Sequence, residues 1–148
     1  MVKFTAYCKV WCPHSNQTAT LLDVIKQSGD DVKIIPIQSD NWNVNSIDYK
    51  PCNKSKQEFF QYVEKTEGIK INGHSTFPIN IFEASNGQKY YIGGNDVFQS
   101  IYKKAESTLN VSTLKPHDMC IHNFVELDTE GQRRLFCHFL KLLKKITN

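Results

Sequence analysis

The 148-residue sequence lacks any long hydrophobic run and any large excess of charge of one sign. Residues 1–6 contain neither the apolar stretch nor the cleavage site of a secretory signal. We therefore expect no membrane span and a cytoplasmic location. The formal charge of +3 is too small to indicate nucleic-acid binding by itself. The length suits one domain with an appendage, which is enough to bury a hydrophobic core.

The sequence also lacks the cysteine pattern of a small secreted protein. It has five cysteines at irregular spacings, whereas a disulfide framework normally has an even number. A reducing compartment is favoured, and Cys52 is interpreted as structural. The cysteines and histidines near the C-terminus do not form the paired ligands of a standard zinc site, so no metal is predicted. These residues are His117, Cys120, His122, Cys137 and His138.

A strand followed by a helix is predicted around Cys12. The strand covers residues 3–7, and Pro13 favours the first position of a helix over residues 13–27. Cys12 is then at the helix N-terminus, where backbone N–H groups and the helix dipole stabilise a thiolate. Lys9 adds a positive charge nearby. A lone cysteine is more often a small buried residue, but this context favours a nucleophile.

Two later segments have the composition of ligand-binding loops. Pro78 precedes an apolar strand, where its missing N–H is unusual for a strand residue. Gly93 and Gly94 lead into a helix predicted over residues 96–107, with Asn95 as its N-cap. Backbone N–H groups at such a helix start can hold a carboxylate, and the glycines allow a ligand to approach. Asp96 supplies a carboxylate that can bind an ammonium group.

The remaining pattern predicts an α/β protein with an irregular stretch after the second strand. Residues 39–53 are rich in Asn, Asp and Ser, which is typical of a loop or insertion. Asn86-Gly87 is typical of a hairpin turn. The other predicted strands cover residues 32–37, 76–82 and 89–92, and the other predicted helix before the tail covers residues 55–66.

Together, Cys12-Pro13-His14-Ser15, Thr76-Phe77-Pro78 and Gly93-Gly94-Asn95-Asp96 resemble the three conserved loops of the glutaredoxins, in the thioredoxin-like superfamily. The resemblance covers roughly residues 2–108. It implies a thioredoxin-like β-α-β-α-β-β-α core in residues 1–108, interrupted by the insertion at 39–53. Residues 109–148 would form a helical C-terminal extension.

The resemblance also implies a glutathione site. The bond before Pro78 would be cis, and Phe77 would pair through its backbone with the cysteinyl part of glutathione. Lys9 would contact glutathione as well. Ser15 replaces the second cysteine of the dithiol members and can donate a hydrogen bond to the Cys12 thiolate. The γ-glutamyl end would be bound by Gly94, Asn95 and Asp96.

The implied activity is that of a monothiol, glutathione-dependent thiol-disulfide oxidoreductase. Cys12 would reduce mixed disulfides between glutathione and protein thiols. His14 would be exposed and would tune the local charge, and Cys8 is expected to be buried at a strand end rather than to act as a resolving thiol. Three alternatives remain: an iron–sulfur-binding monothiol glutaredoxin, a non-catalytic binding or assembly module, and a thioredoxin-like or glutathione-transferase-like domain with another thiol substrate.

A helix is predicted over residues 130–146, with Thr129 as its N-cap. Its wide apolar face favours packing on the domain or on a sister subunit, which allows a homo-oligomer or a partner bound through this helix. Its lysines and arginines leave a membrane-surface helix as the alternative. The apolar residues are Leu135, Phe136, Phe139, Leu140, Leu142, Leu143 and Ile146.

Overall fold

A computed structural model of the chain describes residues 2–9, 12–37, 56–71, 74, 76–109, 127 and 129–147. The predicted insertion at 39–53, with Cys52, lies outside the described residues. So does the part of the candidate zinc-ligand group that falls in residues 117–122.

The described strands and helices follow one another in the order that the sequence predicts. All four strands extend one or more residues beyond at least one predicted end, and so do the second, third and fourth helices. Such differences are usual, because the ends of helices and strands are the least well defined by sequence. In chain order they are β1 (Lys3–Lys9), α1 (Pro13–Gln27), β2 (Asp31–Ile37), α2 (Lys56–Glu67), β3 (Ile79–Glu83), β4 (Lys89–Gly93), α3 (Asn95–Leu109) and α4 (Glu130–Thr147).

The strands form one sheet in the order β2-β1-β3-β4. β1 pairs in parallel with β2, with Cys8 opposite Pro36, and antiparallel with β3, with Tyr7 opposite Ile79. β4 pairs antiparallel with β3. The parallel pair with α1 between its strands, followed by an antiparallel hairpin, is the arrangement of a thioredoxin-like core. The predicted fold class is therefore confirmed.

Alternation along β1 divides the hydrophobic core between the two faces of the sheet. Phe4, Ala6 and Cys8 belong to a cluster that also contains residues of α1, α3 and α4. Tyr7 belongs to a second cluster with Phe59 and other residues of α2. Because β1 is central and covered on both faces, the loop that follows it starts from a buried, well-fixed position.

The tail helix α4 packs on the domain, as its apolar face predicts. Its N-cap is Thr129, whose hydroxyl oxygen accepts the N–H of Gln132 at 3.1 Å. Phe139 is fully buried and its ring lies 6.2 Å from that of Phe4 and 5.1 Å from that of Tyr102. Among the described residues, no helix has the length and apolar character needed to cross a membrane.

Candidate active site

Cys12 is the N-cap of α1, as predicted. Its backbone is extended, with φ −89° and ψ 123°, and Pro13 begins the helix. The Cys12 carbonyl accepts the first helical bond from the N–H of Asn16 at 2.9 Å. The Cys12 N–H donates back to the carbonyl of Lys9 at 3.2 Å. The thiol is therefore fixed at the positive end of the helix dipole.

The surroundings of Cys12 lower the pKa of its thiol below the ordinary value of 9.0. Partial burial works in the opposite direction, because it disfavours the charged form. Hydrogen bonds from the backbone and hydroxyl of Ser15 and from the backbone of His14 outweigh it, and the charge of Lys9 adds to them. The result is a thiol that ionises more readily than a free cysteine.

Ser15 is almost completely buried beneath the Cys12 loop, with 1% of its surface exposed. Its Oγ accepts the backbone N–H of Lys9 at 3.0 Å, and its hydroxyl is one of the groups that lower the pKa of the Cys12 thiol. Ser15 therefore connects the end of β1 with the start of α1. The hydrogen bond from Ser15 to the Cys12 thiolate stays a prediction.

Cys8 is buried near the end of β1, four residues before Cys12, and its pKa is shifted in the opposite direction. Burial and the neighbouring Cys12 charge together raise the pKa of the Cys8 thiol to about 12, and the Ser15 hydroxyl offsets only part of the rise. Cys8 therefore remains a protonated thiol near neutral pH. This agrees with the interpretation of Cys8 as a buried strand-end residue.

The Phe77–Pro78 peptide bond is cis, which confirms the expectation from the resemblance. The Phe77 ring packs against Phe59 and Phe60, with centroids 5.6 and 5.5 Å apart. The side chain is thus part of the contact with α2.

A groove of about 350 Å³ joins the three predicted segments. It runs from the first turn of α1, past the segment before β3, to the start of α3. A larger groove of about 880 Å³ lies between α1 and α3 and shares Asn95 and Asp96 with it. The smaller groove is lined by residues that include His14, His74, Thr76, Phe77, Gly94 and Asp96.

The start of α3 differs by one residue from the prediction. Gly94, not Asn95, is the cap, because the Gly94 carbonyl accepts the first helical bond from Phe98 at 3.1 Å. The Asn95 side chain does not cap the helix. It is buried, with 5% exposed, and its Oδ1 accepts the hydroxyl of Thr18 at 2.9 Å. Its Nδ2 donates to Gln17 at 2.7 Å.

Asn95 therefore connects α3 with α1, the helix that carries Cys12. Asp96 is exposed in the first turn of α3, where its carboxylate faces solvent at the groove. The two adjacent polar residues thus have different surroundings: Asn95 is buried between helices and Asp96 lines the groove.

The residue before Gly94 must be glycine. At Gly93, φ is +138°, and an added Cβ would lie 3.0 Å from Val97, so only glycine fits there without strain.

His74 is a groove residue that the sequence analysis did not identify. Its ring contacts the hydroxyl of Tyr91 and the carbonyl of Thr76, and it lies beside Gly94. The only sequence signal was a titratable ring two residues before the Thr76-Phe77-Pro78 motif. That signal is weak because the partner residue Tyr91 is distant in the chain.

Within the described ranges, no group of three or more His, Cys, Asp or Glu side chains is arranged to hold a metal ion. Cys137 is exposed on α4, and His138 instead contacts Asp30 at 2.7 Å.

Comparisons with known proteins identify no close relative. No family model matches the chain, and no curated protein is similar to it in sequence. A thioredoxin-fold protein from Helicobacter pylori is similar in structure, with 13% identity and a TM-score of 0.40 over 99% of this chain and 84% of that one. At this TM-score the likeness supports no inference, and the fold class rests on the strand order and directions described above.

Proposed function

We propose that this protein is a glutathione-dependent thiol-disulfide oxidoreductase of the monothiol glutaredoxin type. The observation that carries the proposal is the position of Cys12. Cys12 is the N-cap residue of α1 and its thiol has a lowered pKa. His14, in the first turn of the same helix, lines a groove where the other two motif segments meet. A thiolate beside a groove is the minimum requirement for exchange with a bound disulfide.

The groove supports glutathione as the ligand because the start of α3, which lines it, has groups complementary to the γ-glutamyl end. Backbone N–H groups at the start of α3 can bind the γ-glutamyl carboxylate, and the exposed Asp96 carboxylate can bind its ammonium group. By resemblance, the backbone of Phe77 pairs with the cysteinyl residue. Lys9 adds positive charge near Cys12.

The reaction in this proposal has two thiol-disulfide exchanges. The Cys12 thiolate attacks the glutathionyl sulfur of a mixed disulfide, forms a Cys12–glutathione disulfide and releases the substrate thiolate, which takes a proton from water. A glutathione thiolate then attacks the glutathionyl sulfur of that intermediate. Oxidised glutathione leaves, and Cys12 returns as a thiolate. Ser15 cannot resolve the intermediate because a hydroxyl forms no disulfide.

The test is the glutathione-dependent reduction of a small glutathionyl mixed disulfide by wild type and by Cys12→Ser. The Cys12 pKa is measured in parallel from thiolate absorbance. Cys137→Ser is the matched control, since it removes an exposed thiol on α4. We expect a rate that Cys12→Ser abolishes and Cys137→Ser retains.

Other outcomes identify other functions. A wild-type rate no higher than that of Cys12→Ser would reject the oxidoreductase and favour a binding or assembly module. A reactive Cys12 in a protein that does not bind glutathione would indicate a different thiol substrate. Cluster absorption after anaerobic reconstitution with iron, sulfide and glutathione would indicate an iron–sulfur carrier.

A further inference from the structure

Two hydrogen bonds hold the His74 ring and join the segment before β3 to β4. Its Nε2 lies 2.7 Å from the carbonyl oxygen of Thr76, and its Nδ1 contacts the hydroxyl of Tyr91. A carbonyl oxygen only accepts hydrogen bonds, so Nε2 carries the proton. Nδ1 then accepts the Tyr91 hydroxyl hydrogen. The network thus fixes one neutral tautomer of the ring.

The neutral ring suits its half-buried position. Burial lowers the pKa of His74, and the carbonyls of Thr76 and Pro78 offset this only in part. These two carbonyls belong to the residues on either side of Phe77. The ring therefore interacts with the backbone both before and after the residue whose backbone is proposed to pair with glutathione.

The same ring also borders the second ligand-binding segment. A Cβ added at Gly94 would lie 3.5 Å from Cε1 of His74 and 3.7 Å from the carbonyl oxygen of Pro78. The Tyr91 hydroxyl that fixes the ring belongs to β4, the strand that leads directly to Gly94. His74 thus spans the gap between the two segments that line the groove.

We propose that His74 and Tyr91 are positioning residues that set the distance between the Thr76–Phe77 backbone and Gly94, and so the fit of a γ-glutamyl-cysteinyl ligand. This inference rests on the proposed function, because glutathione supplies that ligand. Loss of either hydrogen bond frees the ring or the Thr76 carbonyl and lets the segment shift. Ligand binding weakens, while Cys12 keeps its reactivity, because the groups that lower its pKa are Ser15, His14 and Lys9.

The experiment compares Tyr91→Phe and His74→Phe with the matched control Tyr90→Phe. Tyr90 is on the same strand, and its buried hydroxyl has no hydrogen-bond partner among the described residues. For a small glutathionyl mixed disulfide we expect KM to rise about three- to tenfold in the first two variants, with kcat and the Cys12 pKa unchanged. Tyr90→Phe should behave as wild type.

Two further variants separate positioning from a general loss of structure. His74→Gln keeps an amide donor that can reach the Thr76 carbonyl, so its KM should lie between those of wild type and His74→Phe. The double variant of His74→Phe and Tyr91→Phe should raise KM no more than the larger single change, because both remove one network.

An unchanged KM in both single variants would overturn the inference, as would a fall in kcat accompanied by a change in the Cys12 pKa. If wild type has no Cys12-dependent rate, the proposed function itself fails, and the nuclear magnetic resonance signal of the Phe77 amide decides the positioning role. A shift of that signal in Tyr91→Phe but not in Tyr90→Phe supports it, and no shift in either overturns it.

Discussion

The Oγ atom of Ser15 lies 3.0 Å from the backbone nitrogen of Lys9, across the loop that contains Cys12. One buried hydroxyl therefore closes the loop and also lowers the pKa of the Cys12 thiol. By the resemblance described above, this position corresponds to the second cysteine of dithiol glutaredoxins.

Replacing Ser15 with alanine should raise the pKa of Cys12, because the thiolate loses a hydrogen-bond donor. The Lys9 N–H also loses its acceptor, which should lower the free energy of unfolding by about 1 kcal/mol. The exchange rate near neutral pH should fall roughly threefold, since less thiolate is present. Thiolate absorbance against pH and denaturant unfolding measure the two effects.

Ser28→Ala is the control for this variant. The Ser28 hydroxyl donates to the carbonyl of Val24 at the other end of α1, away from Cys12. It should leave the Cys12 pKa unchanged. A Cys12 pKa equal to that of wild type in Ser15→Ala would show that the backbone amides and Lys9 suffice.

The pH dependence should follow the Cys12 thiolate. Because the folded-state pKa lies below the ordinary value of 9.0, the rate with a glutathionyl substrate should fall as pH drops through that folded pKa. The stabilisation of the fold by ionised Cys12 is fully present above pH 9.0 and is lost as pH falls through the folded pKa. Comparing the unfolding free energies of wild type and Cys12→Ser across pH measures it. A stabilisation that grows as pH falls would contradict this dependence.

The cysteines of β1 and its loop should differ in alkylation. Cys12 should react with iodoacetamide near neutral pH, and Cys8 should not react in the folded protein, because it is buried with its pKa raised to about 12. The stability that depends on neutral Cys8 is present below 9.0 and is lost as pH rises toward 12. Mass spectrometry of the modified peptides provides the measurement, with exposed Cys137 as the reference for access. Rapid labelling of Cys8 in the folded protein would instead support a role for Cys8 as a resolving thiol.

Asn95 and Asp96 should affect binding for different reasons. Asn95→Ala leaves the Thr18 hydroxyl and Gln17 amide without their partner, so the free energy of unfolding should fall by about 1–3 kcal/mol and KM should rise. Asp96→Asn removes only an exposed charge, so KM for the glutathionyl substrate should rise with stability unchanged. Chemical denaturation and steady-state kinetics on both variants separate the two effects. Equal stability of the two variants would argue against the buried role of Asn95.

The packing of α4 should contribute strongly to stability. Phe139→Ala removes a fully buried ring next to Phe4 and should lower the free energy of unfolding by about 3–5 kcal/mol. Lys141→Ala, at an exposed position of the same helix, is the control and should change it little. The thiolate pKa of Cys12 should be the same in both. A small effect of Phe139→Ala would mean that α4 is not part of the cooperative unit.

Local sequence signals predicted much of the framework. Pro13 after Cys12 indicated the helix start, and Thr129 indicated the cap of α4, because capping depends on residues within one turn. The apolar face of α4 indicated that this helix packs on the domain. The error at Asn95 is also local: an asparagine beside a glycine suits the cap position, and nothing within that turn shows that its side chain is needed elsewhere.

The sequence by itself determined the strand–helix order, the place of Cys12 at the start of α1 and the three segments that resemble a glutathione site. Only the tertiary structure decided that Asn95 accepts a hydrogen bond from Thr18, that the Tyr91 hydroxyl hydrogen-bonds to His74, and that Phe139 of α4 packs against Phe4. Capping and periodicity depend on neighbours within a few residues. These contacts join residues 77, 17 and 135 positions apart, and the sheet order that brings them together is set by packing of the whole core.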